Sequence, residues 1–155
     1  MHTAVLRAGE VLYLPAGNIH AYLEGVGIEL MASSDNVLRG GLTPKHVDVD
    51  ELLTVLDFRP LPLPLLEPEV PQAGLAVFRP DVPDFVLTVV SPDAAAAGVT
   101  VPLTGPAIAL CTSGAVTLSG HELKRGQSVY VADEPSLAIS GDGMLFVACT
   151  GVIES

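Results

Sequence analysis

The densest group of chemically competent side chains lies between Gly9 and Lys45. It opens with the spacing G-x5-P-x-G-x2-H, set by Gly9, Pro15, Gly17 and His20. Proline presets φ and glycine admits positive φ, so the PAGN segment reads as a tight reversal between VLYL and an outgoing strand HAYLEG. Period two along that outgoing strand puts His20 and Tyr22 on one face. An imidazole so placed is a candidate metal ligand, with a structural histidine beside a turn as the competing reading. Glu29 interrupts the apolar run VGIELMA. Its carboxylate must be paired, metal-bound or protonated there, unless the strand turns that position to solvent. Ser33 to Asn36 then open a polar loop carrying Arg39 and Lys45, two of only seven basic residues set against 18 acidic ones. Cations concentrated against the overall field can receive an anion such as a phosphate ester, although two solvated loop cations would look the same.

The remaining histidines add little to this group. His2 is isolated, and His46 and His121 lie in polar, turn-like contexts that suit solvated side chains. A catalytic zinc site normally takes three protein ligands and keeps one position open. The chain offers one good ligand, His20, so any metal site read from it is incomplete.

The elements that must hold these residues are mostly short strands. The runs VLYLP, HAYLEG, VGIELMA, FVLTVVS, VTVP, AIALC, AVTLSG, QSVYVA, LAIS and MLFVAC are bounded by Gly and Pro and rich in β-branched residues, as strands require. One exception is Asp48 to Phe58, where Leu52, Leu53 and Leu56 fall at helical spacing. Asp48 with Glu51 three residues on makes an acidic capping box, which predicts one short helix. Prolines 60, 62, 64, 68 and 71 follow it and favour an extended connector, with a PxxP-type ligand as the lesser alternative. The organisation expected is therefore residues 1–59, a Pro-rich linker over 60–72, and a more complete β unit over 73–155. A faint internal repeat joins the two parts at an offset of 117. Gly9 falls on Gly126, Glu10 on Gln127, Tyr13 on Tyr130 and Ala21 on Ala138, whereas His20 falls on Leu137.

Composition bounds the function. The chain has 155 residues, 49% hydrophobic and 16% charged, which suits a folded core rather than disorder. A formal net charge of −11 argues against binding a nucleic-acid backbone or an anionic membrane through a general basic surface. No apolar run is long enough for a membrane span, and the opening MHTAVLRAGE does not read as a signal peptide. Cys111 and Cys149 each sit inside an apolar run and read as buried small hydrophobes, which makes a reducing cytoplasm the default location.

The segment PAGNIHAYLEG together with IELMASSDNVLRGGLTPKHVDVDELL closely resembles the type I mannose-6-phosphate isomerases (phosphomannose isomerases) over about residues 7–58. The spacing around His20 is similar to the second motif of the cupin superfamily, except that Glu24 stands where an Asn is usual. LCTSGAVTLSG and LKRGQSVYVA resemble the family's second, non-catalytic cupin domain. The resemblance implies a mainly β bicupin of jelly-roll type with an incomplete N-terminal cupin, and a reaction that interconverts mannose 6-phosphate and fructose 6-phosphate with Zn2+. It makes His20 a zinc ligand, Arg39 the active-site arginine, and Tyr22, Glu29 and Lys45 substrate-pocket residues. The family's Gln-x-His pair and further Glu have no counterpart, so the chain is expected to be the C-terminal part of the enzyme, by truncation, a split gene or a misplaced start codon.

An aldose–ketose isomerisation moves a proton between C1 and C2 through an enediolate, whose negative charge a metal or a guanidinium can stabilise. A guanidinium is a poor base. Glu29 could act as one only in a setting that raises its proton affinity. Alternatives of a different class are a non-catalytic cupin module that binds a sugar phosphate or stabilises a partner chain, and a structural remnant without a ligand. An incomplete barrel exposes edges and core surface, which calls for a separate N-terminal half or a homo-oligomer.

Overall fold

The computed structural model describes residues 3–34, 37–59 and 62–151; His2 and the Asp35–Asn36 part of the polar loop lie outside them. The chain divides into two compact units, Met1–Leu65 and Leu66–Ser155.

In the first unit, regular structure is sparse. Strand β1 (Val11–Leu12) pairs with β2 (Leu65–Leu66), and the Tyr13 N–H donates to the Pro64 carbonyl at 3.0 Å. Helix α1 (Val49–Val55) forms where the leucine spacing places it, and Asp48 caps it by accepting the Glu51 N–H at 3.1 Å. The strands expected over HAYLEG and VGIELMA do not form ladders. A strand needs a partner for its backbone groups, and these two runs find none among the described residues. Consistent with that, Tyr22, Leu23, Val26 and Ile28 are exposed.

The second unit holds the core. A six-stranded antiparallel sheet has the order β10-β7-β12-β5-β4-β3. Its strands are β3 (Glu69–Gln72), β4 (Leu75–Phe78), β5 (Val86–Val90), β7 (Ala107–Ser113), β10 (Ser128–Val131) and β12 (Met144–Cys149). A four-stranded antiparallel sheet has the order β6-β11-β8-β9, from β6 (Val99–Pro102), β8 (Ala115–Leu118), β9 (His121–Lys124) and β11 (Ser136–Gly141). Alternation along the strands drives Val99, Val101, Val116, Leu118, Leu137 and Ile139 from one sheet into a shared core with Val90, Ala109, Cys111, Leu145 and Val147 from the other. Within the stretch expected to be a proline-rich connector, the described residues include β2 at Leu65–Leu66 and β3, so part of it enters sheets. Strand β3 lies at an edge, where Pro71 and its missing donor are tolerated.

Three details differ from the sequence expectations. A second helix, α2 (Pro92–Ala97), follows Ser91, which caps it by accepting the Ala94 N–H at 3.3 Å, with Pro92 in the first turn. Ala94 and Ala95 of this helix are buried. Leu75–Phe78 is a strand outside the runs expected from the sequence, and His121 lies in β9, exposed, rather than in a turn. Both cysteines are buried and unpaired, in line with the reading of them as small hydrophobes. The Cys111 Sγ donates to the Ser113 carbonyl at 3.3 Å, and burial pushes its thiol up from the ordinary range.

Candidate functional site

The PAGN turn is built by Gly17, whose φ of +81° suits a residue without a side chain. A Cβ at Gly17 would sit 2.9 Å from the Val55 carbonyl, and the Gly17 carbonyl accepts the Asp57 N–H at 2.9 Å. The end of α1 is thereby tied to the reversal that carries His20. Gly40 lies equally close to Ile19, since a Cβ there would collide with the Ile19 side chain and approach Leu52 at 3.9 Å. The loop bearing Arg39 thus runs beside the residue that precedes His20.

Three of the sequence candidates meet. The Tyr22 hydroxyl donates to Glu29 Oε1 at 2.8 Å, and the same carboxylate oxygen lies 3.9 Å from His20 Nε2. The two rings stand edge to face with centroids 5.8 Å apart and an interplanar angle of 75°. His20 Nδ1 faces the Asn18 carbonyl at 3.2 Å. A carbonyl can only accept, so in a neutral ring that contact puts the proton on Nδ1 and the lone pair on Nε2, the nitrogen that faces Glu29. Partial desolvation, the hydrogen bond to Glu29 and the negative charge of Glu29 push the Tyr22 phenol up to about 12, so it remains a donor at neutral pH.

The other two candidates stand apart from this trio. Arg39 is half-buried and Lys45 exposed, and no hydrogen bond or ion pair joins either to His20, Tyr22 or Glu29. The Lys45 N–H donates to Thr43 Oγ1 at 3.2 Å. His46 is exposed, as expected of a solvated histidine. Among the described residues no group of three or more His, Cys, Asp or Glu is arranged to hold a metal ion. What exists is a pair of donors, one imidazole nitrogen and one carboxylate oxygen. Their chemistry suits zinc, but the pair falls short of the three or four ligands such a site takes.

The internal repeat is visible in detail. The Arg7 N–H donates to Glu10 Oε2 at 2.8 Å, and 117 residues on the Lys124 N–H donates to Gln127 Oε1 at 2.8 Å. The return bonds match, Glu10 N–H to the Arg7 carbonyl at 3.0 Å and Gln127 N–H to the Lys124 carbonyl at 2.9 Å. Gly9 and Gly126 have φ of +90° and +84°. Carried on at the same offset, His20 and Tyr22 fall on Leu137 and Ile139, the two residues of β11 that point into the core. In the sequence this shared turn shows as the pairing of Gly9 with Gly126 and of Glu10 with Gln127.

Antiparallel sheets packed face to face, with the turn architecture repeated in both halves, define a mainly β, cupin-like protein. No protein-family model matches the chain. It is homologous to the mannose-6-phosphate isomerases. That of Salmonella typhimurium is 38% identical over 150 residues, covering 94% of this chain and 38% of the relative, and a probable one from Caenorhabditis elegans is 33% identical over 155 residues, covering 94% and 37%. The crystal structure of the Salmonella typhimurium enzyme bound to fructose 6-phosphate and zinc superposes with a TM-score of 0.64 at 33% identity, covering 79% of this chain and 32% of that one. The chain therefore spans less than two fifths of the length of the relatives it matches.

Proposed function

We propose that the chain is part of a zinc-dependent mannose-6-phosphate isomerase, converting mannose 6-phosphate and fructose 6-phosphate into one another. The observation that carries this reading is the convergence of His20 Nε2 and Glu29 Oε1 within 3.9 Å, in the segment that most resembles the isomerases. In this reading His20 is the metal ligand through Nε2. Zinc bound there supplies Lewis-acid polarisation of the sugar oxygens and stabilises enediolate charge. Arg39, Lys45, Tyr22 and Glu29 line the sugar-phosphate pocket, Arg39 stabilising the developing charge or holding the phosphate. Residues 1–59 are a piece of the catalytic cupin domain, 60–72 its connector and 73–155 a second cupin-like domain. Two buried, unpaired thiols suit a reducing cytoplasm.

One observation favours a second reading. With only a donor pair among the described residues, the lone chain is short of ligands, and a non-catalytic module that binds a sugar phosphate or stabilises a partner chain would look the same. Both readings are separated by complementation. The purified chain should bind zinc weakly and show negligible isomerisation. A separately expressed N-terminal half carrying a Gln-x-His pair should restore both, and His20→Ala should abolish that rescue. Failure of the complemented pair to turn over mannose 6-phosphate leaves the non-catalytic module. Stoichiometric zinc and robust turnover by the chain alone overturn the assignment of the ligands.

A further inference from the structure

The two sheets of the second unit end in four edge strands, and an open edge can pair with another chain unless something blocks it. Three are blocked by their own residues: β3 carries Glu69 and Pro71, β6 ends in Pro102, and β9 carries Glu122 and Lys124. Strand β10, reading SVYV, has neither proline nor charge. The Gln127 carbonyl, just before it, accepts the Cys111 N–H of β7 at 3.0 Å. By alternation Val129 and Val131 also turn their backbone groups to β7, which leaves those of Ser128 and Tyr130 facing the open side. Beyond Leu66 the exposed large hydrophobic side chains among the described residues are Val70, Ile108 and Tyr130. The last two are cross-strand partners at this edge, 55% and 66% exposed.

We propose that β10 is a homodimer interface: its open edge pairs antiparallel with β10 of a second copy, about a two-fold axis at Val129, and joins the two six-stranded sheets. That register puts Ser128 opposite Tyr130 of the second copy and Tyr130 opposite its Ser128, so the residues with free backbone groups meet. Each Tyr130 ring then lies beside a small serine. The apolar row from Ile108 thereby continues across the join to Leu110 of the second copy, the cross-strand partner of that serine. The charges select a second copy over other occupants. A net charge of −11 opposes self-association, so a self-pairing edge must be locally complementary, and this one is. Lys124 and Arg125 precede β10, Asp133 and Glu134 follow it, and all four are exposed. Arg125 and Asp133 stand four residues either side of Val129, Lys124 and Glu134 five. An antiparallel second copy therefore brings each basic pair against an acidic one. Lys124 is already held by Glu122 at 3.5 Å, whereas Arg125, Asp133 and Glu134 have no ion pair among the described residues.

The test is sedimentation equilibrium of the full chain, together with amide hydrogen exchange at Ser128 and Tyr130. The chain should pass from monomer to dimer with rising concentration, and exchange at those two amides should slow in step. Arg125→Glu should raise the dimer dissociation constant by about tenfold, because two exposed ion pairs are reversed at once. Adding Asp133→Arg to Arg125→Glu should restore it. Tyr130→Pro removes a donor on the open side and should abolish the dimer. The amide signals of Leu145 and Val147 check that the core stays folded in each variant. If Tyr130→Pro disturbs them, the charge swap decides, since Arg125 and Asp133 are exposed. A chain that is monomeric at every concentration overturns the proposal. So does a dimer in which Ser128 and Tyr130 exchange at the monomer's rate, or one that Arg125→Glu leaves unweakened. Association then runs through another surface, such as the exposed apolar side chains of the first unit.

Discussion

The repeat makes a quantitative prediction about one register position used in two ways. Leu137, 1% exposed, fills the core of the second unit, whereas its counterpart His20 keeps a side chain that is 41% exposed. Leu137→Ala removes three carbons from a closed interior, about 2.4 kcal/mol at about 0.8 kcal/mol per buried carbon. The cavity left behind raises the loss to roughly 3–4 kcal/mol. His20→Ala leaves no cavity and should change stability by less than about 0.5 kcal/mol. The assay is urea unfolding followed by the amide NMR signals of Leu145 and Val147, which lie in the same core. Signals local to that core confine the measurement to the second unit. A loss below about 1 kcal/mol for Leu137→Ala would show that the core collapses around the gap or that β11 is not packed as described. Equal losses from the two substitutions would refute the claim that the shared register position is packed in one copy and not in the other.

Three further outcomes are expected. Phenolate absorbance of the native chain minus that of Tyr22→Phe should titrate near pH 12, and Glu29→Gln should move that midpoint down. Because the folded value lies above the ordinary 10, the associated stability is present below pH 10 and lost as pH rises through about 12. Thiol labelling of the native chain should be slow at both Cys111 and Cys149 and become complete on unfolding, since both are buried; prompt labelling of either in the native state would contradict that burial. In the complemented isomerase, Arg39→Ala should weaken sugar-phosphate capture or turnover more than Lys124→Ala, whose ammonium pairs with Glu122 at 3.5 Å in the other unit. Equal effects would deny the cationic loop a special role.

What could be read in advance follows a physical divide. FVLTVVS, VTVP, AIALC, AVTLSG, QSVYVA, LAIS and MLFVAC all became strands because each found partners on the chain, so local preference and pairing agree. HAYLEG and VGIELMA carry the same β-branched and aromatic pattern and form no ladder, because pairing is a property of neighbours that pattern alone does not supply. Helix α2 lies outside the one-helix expectation although Ser91, Pro92 and four alanines give it a cap, a first-turn proline and strong helix formers in order. At the candidate site, period two puts Tyr22 beside His20, and Glu29 reads as needing a partner unless turned to solvent; it is exposed and also accepts from Tyr22. That Tyr22 is that partner depends on the fold-back at Gly25, a long-range geometry with no signature in spacing.

The distribution of apolar surface bears on the same site. Of the 20 large hydrophobic side chains exposed among the described residues, 17 lie at or before Leu65, while every buried core residue described lies at or beyond Leu75. Helix α1 has seven residues and none of them buried, too few for a helix to hold its form in water without tertiary packing. Among the described residues this unit leaves its apolar side chains uncovered and offers no donors beyond the His20–Glu29 pair. These shortages fall on the same residues: Tyr22 is 72% exposed and neighbours Leu23, itself 81% exposed, and it donates to the carboxylate beside His20. In the proposed isomerase, an N-terminal half that pairs with HAYLEG and VGIELMA would give these runs the ladder they do not form among the described residues. It would bury the apolar run, exclude water from His20 and Glu29, and strengthen every charge interaction made there. Metal binding and strand pairing would then be one event, so zinc should tighten the association of any such segment by the factor with which the segment tightens zinc.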